Sequence, residues 1–404
     1  MMSLRMAWRN VWRNPRRSAV VVTAVAVGIG GALIAMSFNY GMIVQMVDTA
    51  IGTELGHIQI HARGYDANPE LRVRMRDGGE RSGQILGLNR GVLAFSRRVR
   101  GEGLVTSAQA SVGVRVVGVE PESESNISIV SSSITAGSYL DGTKRRVIIG
   151  ERLAQRLHVE VGDKIVLSVT DMAGDITGAG VRVGGIFHTP SAVLDSGTLF
   201  LPLAESQALL GLGDAISEIV IVGKNSSSVD RLHDSLVASL DELEVRSWKQ
   251  LQPGLDNMVT IFDQMGLFIY GAVFVAMLFG IANVLLMTIY ERVREIGILM
   301  AIGMPRSRLA MSIVFESLIV TLVGLAIGFA IALVFFLLLR DGIELSSFAA
   351  GLEEFGIGQR IRPVLRSSDF GFPTLVAFLT AAIASAWPAY RATRFRPAEA
   401  VRHV

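Results

Sequence analysis

The apolar positions fall into four long blocks separated by two kinds of polar sequence. Residues 18–47, 266–289 and 370–390 carry no charge, and 309–339 carries only Glu316. Each block reaches the ~20 apolar residues that cross a bilayer. Between the first two blocks the rhythm changes. Alternation at 57–61, 112–119, 164–170, 181–187 and 219–222 predicts strands. Three- and four-residue spacing at 150–157, 203–210 and 229–240 predicts helices, and Gly162-Asp163 reads as a tight turn. Stretches 66–103 and 123–143, rich in glycine, serine and charge, read as loops or insertions. The fold class is therefore a membrane protein of four transmembrane helices with a large mixed α/β domain, expected in the periplasm, inserted between spans 1 and 2.

The division expected along the chain is an interfacial helix at 1–17, span 1 and a stalk at 18–54, the α/β domain at 55–247, and a second stalk with span 2 at 248–289. A short connecting helix at 290–308, span 3 at 309–339, a loop at 340–369, span 4 at 370–390 and a tail at 391–404 follow. In 1–17, Leu4, Ala7, Trp8, Val11 and Trp12 recur at helical spacing between arginines, the pattern of a helix lying in the membrane interface. Beyond span 1, Met36, Tyr40, Ile43, Val47, Ala50 and Ile51 keep that spacing while polar residues enter, which predicts a stalk continuous with the span. Gly28, Gly30 and Gly31 in span 1, and Gly324 and Gly328 as GxxxG in span 3, are the candidate points of close helix approach. The last span is expected to end at Pro388.

Charge orients these blocks. Segments 1–17, 290–308 and 391–404 hold thirteen arginines in 50 residues against three acids, whereas 48–265 is balanced. Positive residues stay on the cytoplasmic side, so both termini and the connecting segment are expected inside. Half of all residues are hydrophobic and the mean hydropathy is +0.46, values of an integral membrane protein. The first apolar block is twice as long as a signal-peptide core and reads as an uncleaved anchor. There is no cysteine, so disulfides and thiol chemistry are excluded.

The connecting segment, YERVREIGILMAIGMPRSR, resembles the ERxxEIGxLxAxG stretch of the lipoprotein-releasing and macrolide-exporter permeases, the FtsX-like type VII branch of the ABC superfamily. Glu291, Arg292, Glu295, Ile296, Gly297, Leu299, Ala301 and Gly303 carry the resemblance, and Arg294 lies within it. The N-terminal LAWRNxWRNxRR pattern, IIGERLAQRLHVEVGDKIVL in the α/β domain and the RAxRxxPAEA ending are similar to the same family, with the lipoprotein-releasing permeases nearest in layout. The resemblance implies that 291–303 is the coupling helix that seats in a groove of an ABC ATPase. It also implies a dimer with an identical or related permease chain, contact with membrane lipid, and a lipid-entry cleft between the first two spans. Met36, Met42, Met46, Met258 and Met265, with Tyr40 and Phe262, gather at that place. Soft, flexible thioethers suit varied acyl chains.

Catalytic chemistry is missing from these residues. A P-loop needs Gly-Lys-Ser or Gly-Lys-Thr, and of the four lysines only Lys224 follows a glycine, with Asn225 behind it. ATP and Mg are thus expected on a separate ATPase subunit, with no cofactor in this chain and no nucleic-acid partner. His57 and His61 share a strand face without a third ligand, so no metal site is expected. Glu316, near the inner edge of span 3, is expected to bond the adjacent connecting segment. The family reading implies extraction of a lipoprotein for a periplasmic carrier. Efflux of a peptide, toxin or antibiotic through an adaptor and outer-membrane channel, and signalling without transport to a cell-wall hydrolase, are the alternatives.

Overall fold

The structure, a computed structural model, describes residues 2–13, 15–65, 72–225 and 228–394. The RAxRxxPAEA ending lies mostly outside them. The chain forms a helical unit (Met1–Ile43, Val259–Ile343, Ile361–Val404) and an α/β unit (Val44–Met258, Glu344–Arg360).

In the helical unit, helices Pro15–Ala50, Pro253–Glu291, Arg306–Leu339 and Ser368–Ala392 are spans 1 to 4, each long and apolar enough to cross a membrane. The N-terminal helix Met2–Arg13 buries Ala7 and Val11 and leaves Trp8 and Trp12 more than half exposed, edge to face at 5.8 Å. Small residues set how closely spans 1 and 3 pack. A Cβ on Gly328 would lie 2.9 Å from the Ala26 carbonyl, and one on Gly324 2.7 Å from Val25 Cβ. On span 1 the matching glycine is Gly30, whose Cβ would meet the Gly328 carbonyl at 3.1 Å. Gly28 instead faces Val273 of span 2, at 3.3 Å. The expectation for Gly31 is corrected: it is exposed with nothing within 4 Å, because one residue turns the helix by about 100°. Span 4 also runs past its expected end at Pro388 to Ala392. A proline inside a membrane helix removes one donor, which neighbouring groups and local adjustment absorb.

The α/β unit is built on β1 (Ile58–Ala62), β2 (Val92–Thr106), β3 (Ser111–Val119), β4 (Ile134–Gly137), β5 (Arg146–Gly150), β6 (Lys164–Thr170), β7 (Ile176–Phe187), β8 (Thr198–Pro202), β9 (Glu218–Gly223) and β10 (Leu243–Ser247). They pair in the order β10-β1-β9-β2-β3-β8-β5-β7-β4, and β6 bridges β2 to β7. The strands β2, β3, β8, β5, β7 and β6 therefore close a ring, which leaves no free edge among them. Val105, Val116, Val147, Leu167, Val183 and Leu199 belong to its buried core. The length of β2 makes this possible: its first half pairs with β9 and its last four residues with β6.

Most of β2 lies in a stretch read from composition as a loop, and that reading is corrected. Helix Glu80–Leu88 and β2 occupy 80–106, and a 3-10 turn at Ile129–Ser133 followed by β4 occupies part of 123–143. Of the charges that suggested a loop, Arg98 and Arg100 are partnered inside the fold, and Arg97 pairs with Glu120 nearer the surface at 3.7 Å. Segment 344–360 also packs in this unit: Arg152 Nη2 bonds Glu353 Oε2 at 2.6 Å and Gln45 Nε2 donates to the Arg360 carbonyl at 2.9 Å.

Candidate functional site

Span 2 stops at Glu291 because Arg292 leaves helical geometry (φ −105°, ψ 15°), and a new helix, Val293–Ala301, begins at once. It closes on Gly303, whose φ of +93° belongs to the left-handed region, while Met304 N donates to the Leu299 carbonyl at 3.0 Å. Pro305 then starts span 3. The helix buries Val293, Ile296 and Gly297, half-buries Leu299, and exposes Arg294, Ile298, Ala301 and Ile302. The outward face is thus apolar at Ile298, Ala301 and Ile302, with Arg294 and the arginine-paired Glu295 at its start.

Both acids of this segment turn toward the N-terminal residues. Arg13 Nη2 grips Glu295 at 2.7 and 2.5 Å, Arg292 Nε adds a bond to Glu295 at 3.0 Å, and Arg17 pairs with Glu291. The hydrogen bond from Arg13 foremost, then Arg292, holds the Glu295 carboxyl below its usual range against a smaller upward push from burial. Arg292 Nη1 also reaches Glu316 of span 3 at 3.5 Å, the bond expected from sequence. Asn10, Arg17, Ser18, Thr288, Glu316 and Ser317 share a cavity of about 30 Å³ there. Half-exposed pairs such as Arg13–Glu295 contribute only ~0–1 kcal/mol each, so their effect is to fix orientation.

A second constellation lies in the α/β unit, where the helix of span 1 ends in a π-helical turn, Ile51–Leu55. Gly56 follows with φ +61°, and a Cβ there would sit 2.4 Å from Val220 Cγ1, so only glycine lets the turn meet β9. Arg98, 2% exposed, donates to the Glu54 carbonyl at 2.7 Å and to both oxygens of Glu124 at 2.6 and 3.1 Å. Arg100 bonds the Glu54 carboxylate at 2.9 Å and Glu218 at 2.9 Å, and Arg115 also pairs with Glu54. Burial alone would raise the Glu218 carboxyl; Arg100, His61 and Arg98 outweigh it and bring it down to about 2. A helix end with orphan carbonyls is thus bound to the sheet by charged donors. Sequence reasoning missed this network, although arginines at 98 and 100 in a stretch flanked by valines were the available signal.

The residues of the expected cleft take differing positions. Met36 is buried with Ala32 and Tyr270, close enough that a Cβ on Gly266 would lie 2.6 Å from its Cε. Met46 is buried, Met42, Met258 and Phe262 are half-buried, and Met265 is exposed. Tyr40 is half-buried with the Arg366 guanidinium 3.9 Å above its ring. His61 is buried against Gln59 Oε1 at 3.0 Å and Glu218 at 3.7 Å. Among the described residues no three His, Asp or Glu side chains are arranged to hold a metal.

Two family models match: an FtsX-like permease C-terminal model over 267–397 and a MacB-like periplasmic core domain model over 18–239. The chain is 22% identical to the lipoprotein-releasing system transmembrane protein LolC of Neisseria meningitidis, over 95% of this chain and 93% of that one. It is 20% identical to the macrolide export ATP-binding/permease protein MacB of Bdellovibrio bacteriovorus, over 99% of this chain and 61% of that longer protein. Among solved structures, the periplasmic region of MacB from Actinobacillus actinomycetemcomitans matches 52% of this chain and 98% of its own, at 12% identity and a TM-score of 0.37.

Proposed function

The chain belongs to the FtsX-like ABC transporter permeases with a MacB-like periplasmic core domain, and from that premise we propose that it converts ATP hydrolysis by a partner ATPase into movement of its α/β unit. The observation that carries this reading is the connecting helix. Its acids are paired by Arg13, Arg17 and Arg292, and its apolar residues Ile298 and Ile302, with Arg294, are left open for an ATPase groove. Force entering there passes into spans 2 and 3, which flank the helix. The other end of the path is span 1, whose helix ends in the turn that Arg98 and Arg100 bind to the sheet.

Arginine-rich segments stay in the cytoplasm, which puts both termini and the connecting helix inside and the α/β unit outside the bacterial inner membrane. The cargo is an acylated lipoprotein handed to a soluble carrier; this follows the relative named for lipoprotein release, which is matched along nearly its whole length. The dimer partner is a second permease chain, and acyl chains enter between spans 1 and 2 near Met42 and Met265. Export of a smaller compound is the second reading, favoured by the macrolide-export relative that aligns with 99% of this chain.

Co-purification of the tagged chain with its ATPase in lipid, followed by mass spectrometry, tests the assignment. A bound acylated protein released by ATP plus a soluble carrier is the expected result; an adaptor protein with no acylated cargo overturns lipoprotein release. Ile298→Asp with Ile302→Asp should abolish ATPase capture while the α/β unit melts as before. Retained capture would remove the coupling role from this helix.

A further inference from the structure

Away from both constellations, the α/β unit holds a buried cation that the described residues leave incompletely satisfied. Arg74 is 8% exposed, and its Nε and Nη1 are buried without a hydrogen-bond partner among the described residues. Its position is fixed, because the next residue, Met75, exchanges two backbone bonds of 3.0 Å with Ile216 and sits in the core. No ion pair joins Arg74 to a carboxylate among the described residues, and burial lowers its proton affinity, partly offset by the nearby Tyr65. A buried guanidinium is costly unless its donors are met, and an unmet buried group points to something missing from its surroundings.

The surroundings have room for it. Arg74 lines a cavity of about 370 Å³ whose wall also carries Arg63, Arg76 and Arg81. Three acids share that wall with four arginines, which leaves it one positive charge in excess. Asp77 accepts from Gly79 N at 3.0 Å, Glu242 pairs with Arg81 at 3.4 Å on the surface, and the main-chain carbonyl of Asp241 accepts from Arg63. The volume exceeds the ~30 Å³ of a single water about tenfold, so it accommodates an anionic group with part of the molecule that bears it.

We propose that this cavity is a binding site for a carboxylate or phosphate oxyanion, with Arg74 as its inner anchor and Arg63, Arg76 and Arg81 as its rim. A guanidinium fork suits a two-oxygen face better than a water or a chloride would. The site stands on Arg74 and its cavity, independently of what the permease carries.

The full chain in detergent is titrated with inorganic phosphate or acetate, against sodium chloride at equal ionic strength, while its melting temperature is followed. At least one of the two oxyanions should raise it saturably above the chloride control. Arg74→Met should weaken the apparent affinity by about ten- to hundredfold, the worth of a charged hydrogen bond. Arg74→Lys should fall between. Should Arg74→Met not fold, Arg63→Ala and Arg81→Ala on the rim each weaken the same titration. A phosphate preference identifies a phosphorylated headgroup or metabolite as the kind of ligand, and an acetate preference an acidic side chain or fatty acid. A shift no larger than chloride gives, or one unchanged in the folded Arg74 and rim variants, overturns the proposal.

Discussion

Arg98→Met is the sharpest test of how the α/β unit holds the end of span 1. The change removes the donors that reach Glu124 at 2.6 and 3.1 Å and the Glu54 carbonyl at 2.7 Å. Glu218 keeps Arg100 at 2.9 Å, whereas the ion pair of Glu124 among the described residues is with Arg98. Glu124 is therefore left 1% exposed and unpaired. Removing one partner of a buried pair costs about 3–5 kcal/mol, and the relief at Glu218 favours the lower end, about 3. For a unit of this size each kcal/mol lowers the melting temperature by about 2–4 °C, so a loss of ~6–12 °C is expected. Trp248, which follows β10, reports on this unit in a fluorescence melt of the full chain. Arg98→Met combined with Glu124→Leu should recover most of the loss, since an apolar pair replaces an ionic one at little cost. A single variant within about 2 °C of the parent, or a double variant no better than the single, would refute the reasoning.

Further outcomes follow from other parts of the molecule. Lowering pH should destabilise the α/β unit between about 4.5 and 2: the Glu218 carboxyl is depressed to about 2 when folded, so its contribution is complete above the unfolded value and fades as pH falls through the folded one. Glu218→Gln should flatten that part of a pH-dependent denaturation curve, and an unchanged curve would contradict the assignment. Gly328→Val should cost ~1–3 kcal/mol in detergent stability because the added Cβ meets the Ala26 backbone at 2.9 Å, whereas Gly31→Ala, with nothing within 4 Å, should be neutral or gain up to ~1 kcal/mol. If the proposed coupling role holds, Arg13→Ala should leave melting nearly unchanged but reduce ATP hydrolysis by a co-purified ATPase about fivefold, an ordinary intersite coupling. Equal hydrolysis would separate the Arg13–Glu295 pair from coupling.

The sequence by itself determined the membrane architecture: four apolar blocks, a short helix between spans 2 and 3, and the continuous helix beyond span 1. These features are local, since transfer of a run of side chains into lipid and the backbone limits of glycine and proline depend on near neighbours in sequence. It also pointed to a bond between Glu316 and the connecting segment, because a carboxylate inside a span needs a partner and the basic segment ends about two turns away; the structure supplies Arg292. The tertiary structure decided which glycine of span 1 meets span 3, which arginine of the first helix holds Glu295, and that a charge-rich stretch becomes the strand closing the ring. Arg98 looks like a solvent residue until Glu124 and the Glu54 carbonyl, 26 and 44 positions away, arrive to satisfy it. Burial of a charge is favourable only with its partner in place, and which partner arrives is a property of the folded chain.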